Sequence, residues 1–316
     1  MKYNIKKIII GSRRSSLAKA HIEIFKTKFY KVYGKNCNIV ILTKYIKTSG
    51  DKFLNQKISE IGNKGLFTKE IDLEQLENKV DVGIHSLKDL PTKLPKGLEI
   101  VSVLKRGNHQ DVIYSHTDSR ILTLKRKTVV GTSSLRRKNQ ILKVRPDLYI
   151  KDIRGNVDTR IKKLKTEKYD ALILAKAGLL RLSLKKNFHS ISTDFLVPAV
   201  GQGAIALVVN KNNTLVKEIL SKLNDNKTFL EVGCEREFLK ALDGSCKTPI
   251  GAFAKIRSFN GKQSLFMRYF VSSLDGKNFI NAKKKINLSN CLHESYNLGK
   301  DVKRQLKLGK KKNFNN

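Results

Sequence analysis

Short apolar runs alternate with helix-forming stretches through the first two thirds of this chain, which is the strand-helix-strand rhythm of an α/β fold. Lys7-Ile-Ile-Ile10 reads as a strand, Ser15 to Tyr33 as a helix, Cys37 to Tyr45 as a strand and Lys69 to Asn78 as a helix. Val80-Asp-Val-Gly-Ile84 gives the next strand, and after turns at Pro91 and Pro95 the run Leu98 to Leu104 gives another. A second unit begins near Gly107-Asn-His-Gln110.

That unit restarts the same plan. Thr128-Val-Val-Gly-Thr-Ser-Ser-Leu135 echoes Lys7-Ile-Ile-Ile-Gly-Ser-Arg-Arg-Ser-Ser-Leu17 at an offset of about 120 residues. In both, an apolar strand reaches a glycine, then hydroxyl residues, then a leucine on a new helix. The echo predicts two similar lobes, each pointing a helix N-terminus at a shared cleft. Tyr169 to Ala175 adds a strand to the second lobe, and Ala204 to Val209 is expected to cross back into the first. From about Asn224 the composition changes to a helix, Glu231 to Leu242, followed by sheet-like runs at Ile250 to Ile256 and Ser264 to Ser272. These predict a smaller C-terminal α+β domain. The expected boundaries are 1–105 with 201–222 for the first domain, 106–200 for the second and 223–316 for the third.

Charge narrows the partners. With 64 Lys and Arg against 27 Asp and Glu the formal charge is +37, which attracts nucleic acid, anionic membrane or acidic small molecules. Lysine, however, is spread along a chain that is also rich in Ile and Asn and lacks Trp, so much of the charge reads as compositional drift and the arginines are the more telling cations. The tail from Lys300 to Asn316 reads as a frayed basic terminus. Cys37, Cys234, Cys246 and Cys291 show neither C-x-x-C nor zinc-ligand spacing, which argues for a reducing compartment and against a metal. The three isoleucines after Lys7 are too few for a signal peptide, and no run approaches the roughly 18 apolar residues of a membrane span, so a cytoplasmic protein without membrane contact is expected.

Three strand-to-helix junctions carry arginine. Gly131-Thr-Ser-Ser-Leu-Arg-Arg137 offers Thr132, Ser133 and Ser134 as hydroxyl donors, with the guanidinium forks of Arg136 and Arg137 on a new helix. A helix N-terminus presents unpaired N–H groups and partial positive charge, so the set suits an anion. Consecutive helical residues point about 100° apart, so the two arginines are expected to grip different anionic groups. The same residues also suit a capped surface helix with solvated arginines. Ser12, Arg13, Arg14 and Ser15 form a parallel set. In Arg154-Gly-Asn-Val-Asp-Thr-Arg160, Gly155 permits a tight turn and Asn156 or Asp158 can cap a helix beginning at Thr159. Nucleotide-binding glycine motifs occur at none of them.

Two further stretches carry candidate chemistry. Val80 to Pro91 places His85, Ser86, Lys88 and Asp89 at the carboxyl end of a strand, where open α/β sheets bind ligands. Asp89 would repel anions unless the chemistry develops positive charge that it stabilises; it also suits a turn before Leu-Pro. His85 reads as a structural hydrogen bonder. The helix ending at Gly244 leads to Cys246 in a Gly-Ser-Cys-Lys-Thr-Pro loop, either an inert thiol or, with Lys247 beside it, a nucleophile.

At these residues the chain resembles the porphobilinogen deaminase family, also called hydroxymethylbilane synthases. The resemblance runs from about Ile8 to Gly251 through GSRRSSLA, NKGLFTKE, VDVGIHSLKDLP, GTSSLRR, RGNVDTR, PAVGQGA and LDGSCKTPIG, in that order. It implies two lobes like those of periplasmic solute-binding proteins with a central cleft, plus a third domain. It implies a dipyrromethane cofactor held by a thioether to Cys246, onto which four porphobilinogen molecules are added head to tail with loss of ammonia before hydrolysis frees a linear tetrapyrrole. By resemblance Asp89 is catalytic. Lys88, Thr132, Ser133, Ser134, Arg136, Arg137 and Arg160 hold the cofactor. Arg13, Ser15, Ser86, Arg154, Gln202 and Lys64 seat the substrate and chain, with Ala177-Gly178 lining the pocket as a turn and Asn55 to Phe67 forming a lid. Ser16, where the family usually has proline, and His21, where glutamine is common, depart from the pattern.

The resemblance implies a monomer acting on a small molecule, with no nucleic-acid partner. A non-catalytic two-lobed anion-binding protein is the main rival, but it leaves Cys246 and Asp89 idle. A nucleic-acid binder is a second rival, without stacking aromatics to support it.

Overall fold

The structure is a computed structural model that describes residues 5–52, 65–117, 120–166, 168–244, 248–307 and 312–313. In chain order its strands and helices begin with β1 (Lys7–Ser12), α1 (Ser16–Tyr33), β2 (Val40–Tyr45), α2 (Ser49–Lys52), α3 (Lys69–Leu76), β3 (Val82–Ser86) and β4 (Leu98–Val103). There follow β5 (Asp111–Ser115), β6 (Val129–Gly131), α4 (Leu135–Val144), β7 (Tyr149–Lys151), α5 (Val157–Thr166), β8 (Ala171–Ala175), α6 (Lys176–Arg181) and β9 (Phe188–Ser190). The last are β10 (Ile205–Asn210), α7 (Thr214–Ser221), α8 (Asn226–Ala241), β11 (Ile250–Phe259), β12 (Lys262–Ser272), β13 (Phe279–Ile286), α9 (Cys291–Lys307) and β14 (Lys312–Asn313). Among the described residues no helix is long and apolar enough to cross a membrane.

By its contacts the chain divides into two compact units, one of Met1–Gly107 with Ala204–Phe229 and one of Asn108–Gly203 with Leu230–Asn316. The first unit holds a five-stranded sheet in the order β2-β1-β3-β10-β4, in which β1 pairs parallel with β2 and β3, while β10 is antiparallel to both its neighbours. The second unit holds a sheet in the order β7-β6-β8-β5-β9, with β6 parallel to β7 and β8, and β5 antiparallel to both neighbours. The two orders correspond strand for strand: β1 to β6, β2 to β7, β3 to β8, β10 to β5 and β4 to β9. The short sequence echo is thus carried by a full sheet plan. It extends to packing, because a side chain at Gly11 would meet Val80 at 2.7 Å and one at Gly131 would meet Leu172 at 2.7 Å. As expected, β10 returns to the first sheet.

Local rules explain the element that opens the first unit. Ser15 caps α1, its Oγ accepting from the N–H of Ala18 at 3.3 Å, and Gly34 ends it at φ 82°, its N–H donating to the Tyr30 carbonyl. Ile22, Phe25 and Phe29 recur at helical spacing and are buried against Ile8, Ile10 and Leu207. Each such apolar side chain contributes about 1.5–3 kcal/mol of burial. In the second unit, alternate residues of β11 and β12, from Ala252 and Ala254 to Leu265 and Met267, bury one face of a separate four-stranded sheet against Phe238, Cys291 and Val302. Helix α8 ends at Ala241, sooner than expected. The left-handed residue there is Asp243 (φ 50°), while Gly244 donates its N–H to the Leu239 carbonyl at 3.0 Å.

Candidate active site

In the first unit the candidate residues lie at the carboxyl ends of β1 and β3. Arg13 follows β1 directly, and its guanidinium is paired with the carboxylate of Asp51, Nη2 to Oδ1 at 2.5 Å, while stacking over the Phe67 ring at 4.5 Å. The other Asp51 oxygen accepts from Thr48 Oγ1 at 2.8 Å. Burial opposes ionisation of Asp51, but Arg13 and Thr48 outweigh it and hold the carboxyl below its usual pKa. Arg13 is therefore a steered cation, aimed by a residue that no motif marks. Ser15 commits its Oγ to capping α1.

At the end of β3 the chain tightens into the 3-10 turn Leu87–Asp89, which buries Leu87 and leaves Ser86, Lys88 and Asp89 half-buried. Among the described residues the Asp89 carboxylate has no hydrogen-bond or ion-pair partner. His85 behaves differently from its expected role as a hydrogen bonder. It is almost fully buried, its Nε2 has no partner among the described residues, and desolvation, aided by the charge of Arg13, lowers its pKa to about 4. The ring is neutral at neutral pH.

The second unit builds its site at the start of α4. Thr132 Oγ1 accepts from the Ser134 N–H at 3.2 Å, and Ser133 Oγ bonds both the carbonyl and the N–H of Ile153, at 2.7 and 3.0 Å. Ser133 therefore fixes the turn that carries Arg154. Ser134 stands at the N-cap without a side-chain cap bond, and its hydroxyl has no partner among the described residues. Both arginines turn inward. Arg136 Nη1 donates to Asp111 Oδ2 at 2.9 Å and to the Val197 carbonyl at 2.6 Å; Arg137 Nη2 donates to Asp111 Oδ1 at 2.7 Å and its Nη1 to the Ile173 carbonyl at 2.7 Å. The two arginines, expected from their separation of about 100° to grip different anionic groups of a ligand, converge within the chain on one carboxylate, because long side chains on the first turn both reach inward. Gln202 joins them, its Nε2 donating to Asp111 Oδ1 at 2.9 Å and to the His109 carbonyl at 2.8 Å.

Asp111 is wholly buried at the first position of β5. Burial pushes its pKa up, but the charges of Arg136 and Arg137 with hydrogen bonds from Arg137 and Gln202 hold it well below the usual carboxylate range. With Arg136 and Arg137 4% and 6% exposed, the cluster carries two positive charges against one negative in a nearly dry setting. Such a set favours a further anion.

The third junction is confirmed as a turn, with Gly155 at φ 109°, but its helix α5 begins at Val157, so Asp158 lies in the first turn and does not cap it. Asn156 precedes the helix, its carbonyl accepting from the Arg160 N–H at 2.9 Å, and Arg160 Nε donates to the Gly155 carbonyl at 2.8 Å. Ala177 and Gly178 are buried in the first turn of α6 and form no turn of their own. Lys64, Cys246 and residues 55–64 of the expected lid lie outside the described residues. Among the described residues no group of three or more His, Cys, Asp or Glu could hold a metal ion.

Comparison with known proteins adds a family. Residues 8–218 match the family model described as porphobilinogen deaminase, dipyromethane cofactor binding domain, and residues 229–308 match porphobilinogen deaminase, C-terminal domain. The porphobilinogen deaminase of Chloroherpeton thalassium is 40% identical over 300 residues, 94% of this chain and 93% of that protein. That of Buchnera aphidicola subsp. Acyrthosiphon pisum is 43% identical over 276 residues, 87% of this chain and 85% of its own. A solved TRAP periplasmic solute binding protein from Desulfovibrio salexigens covers 72% of this chain and 74% of its own at 12% identity and a TM-score of 0.43, too loose to carry the fold, which rests on the strand orders above.

Proposed function

This chain belongs to the porphobilinogen deaminase family, and we propose that Asp89 conducts its chemistry and Cys246 carries its primer. It is a deaminating transferase of porphyrin biosynthesis, a hydroxymethylbilane synthase, with dipyrromethane as cofactor and porphobilinogen as substrate. The family match does not favour a non-catalytic anion receptor.

The observation that carries the residue assignment is the charge at α4. Dipyrromethane bears acetate and propionate groups on each ring, and among the described residues Arg136 and Arg137 with Asp111 leave one buried positive charge uncompensated at the start of α4, where Ser134 stands at the N-cap. That donor set fits the group. When bound, it supplies the nucleophilic ring carbon to which substrate is joined. Lys88, Thr132, Ser134, Arg136, Arg137 and Arg160 hold its carboxylates, and Ser133 contributes by fixing the Ile153 backbone. Cys246, as thiolate, forms the thioether that anchors it.

On the substrate side, Arg13, Ser15, Ser86, Lys64, Arg154 and Gln202 seat the acidic side chains of porphobilinogen and of the growing chain. Joining one unit breaks the aminomethyl C–N bond, releases ammonia, forms a C–C bond and loses a ring proton. Positive charge develops on pyrrole nitrogen. Asp89, half-buried and without a partner among the described residues, accepts the pyrrole N–H and stabilises that charge. Residues 223–316 act as a third domain, supported by their separate sheet and their own family match, and the protein works as a cytoplasmic monomer.

Incubation of the purified chain with porphobilinogen tests this reading. Ammonia release accompanied by a linear tetrapyrrole is expected. Substrate binding without ammonia release would revive the receptor.

A further inference from the structure

Asp111 belongs to none of the motifs, yet it organises the buried charge of the second unit. Each of its oxygens is used. Oδ2 accepts from Arg136, and Oδ1 from Arg137 Nε, Arg137 Nη2 and Gln202 Nε2. Each guanidinium is also tied at a second point, to the Val197 or the Ile173 carbonyl. Val197 is held in turn by Gln140, which accepts from its N–H at 2.8 Å and donates to its carbonyl at 3.1 Å. Four side chains and two backbone segments are thus locked around one carboxylate.

A structural ion pair needs one cation per carboxylate, and here there are two. The excess sits at the first turn of α4, where free backbone N–H groups and the Ser134 hydroxyl already favour an anion. Among the described residues Nε and Nη2 of Arg136 have no hydrogen-bond partner. Without Asp111 the two guanidiniums, both nearly buried, repel one another and lose the reference that fixes their planes.

Resting on the reading above, we propose that Asp111 is a positioning residue for cofactor loading: it clamps Arg136, Arg137 and Gln202 into one array whose remaining donors and single excess charge receive a cofactor carboxylate.

The test uses the full-length chain expressed without cofactor in a host that makes no porphobilinogen. Wild type, Asp111→Asn and Asp111→Glu are checked for folding by circular dichroism and denaturant midpoint. They are then given porphobilinogen, and the dipyrromethane adduct is followed by intact mass. Folded Asp111→Asn is expected to load at least about tenfold more slowly than wild type. Folded Asp111→Glu is also expected to load about tenfold more slowly, because it keeps the charge but moves both guanidiniums by about 1 Å. In an Arg137→Gln background, Asp111→Asn should add less than about a twofold loss, since the two act as one unit. Wild-type loading by either folded variant, multiplicative losses, or failure of both variants to fold overturns the proposal; in the last case the role is structural. Failure of wild type itself to load counts against the family function and not against Asp111.

Discussion

His85 offers the most quantitative handle on the first unit, with pH as the perturbation. In the unfolded chain its pKa is the ordinary 6.5, while in the folded chain burial and the Arg13 charge lower it to about 4. A lowered folded pKa means that the unfolded state takes up the proton first, so stability is fully present above 6.5 and falls as the pH drops through that window toward 4. The 2.5-unit gap between those two values caps the loss at about 3 kcal/mol, of which about 2 kcal/mol is gone between pH 7 and pH 5. Urea unfolding of wild type and His85→Gln at both pH values is the assay. The other histidines contribute equally to both proteins, so the difference isolates His85. The wild type should lose about 2 kcal/mol more than the variant on acidification. Equal losses would mean that the ring is solvated or already charged in the folded state.

Other outcomes follow from single contacts. Asp89→Ala should retain bound primer and substrate yet slow elongation by at least about a hundredfold in kcat, and near-normal turnover would remove Asp89 from the chemistry. Gly251→Ala should lose about 1–3 kcal/mol of stability by denaturant melt, because its Cβ would meet the Val197 carbonyl oxygen at 2.7 Å and that of Pro198 at 3.0 Å; an unchanged midpoint would show that this backbone yields. Asp51→Asn should raise KM for porphobilinogen more than it lowers kcat, by freeing the Arg13 guanidinium from its fixed orientation; unchanged KM would detach Arg13 from substrate.

Much of the fold was legible because it is written in local rules. The helix from Ser15 to Tyr33 and the short apolar strands around it are readable within a few residues, and so is the plan shared by β1–α1 and β6–α4. The antiparallel place of β5 and β10 in their sheets was not, since strand order depends on distant partners. The motif residues at the strand ends were legible as types, but their hydrogen-bond allegiances were not. Asp111 is separated by 25 residues from Arg136 and by 91 from Gln202, and Asp51 by 38 from Arg13. No period or spacing links such pairs. The one usable signal for Asp111 was a lone carboxylate opening the apolar run Val112-Ile-Tyr114, a placement that demands a buried cation. Ser133 shows the same limit of local reading: a hydroxyl at a helix start looks free in sequence, and in the fold it bonds the Ile153 backbone.

The most direct measurement is the intact mass of the protein purified from a host that makes porphobilinogen, followed by peptide mapping of the modified residue. A mass above the polypeptide by two condensed pyrrole units, mapped to Cys246, is the predicted result. A bare polypeptide mass, or an intact adduct that survives Cys246→Ser, would contradict the assignment of this chain's primer and of the residue that carries it.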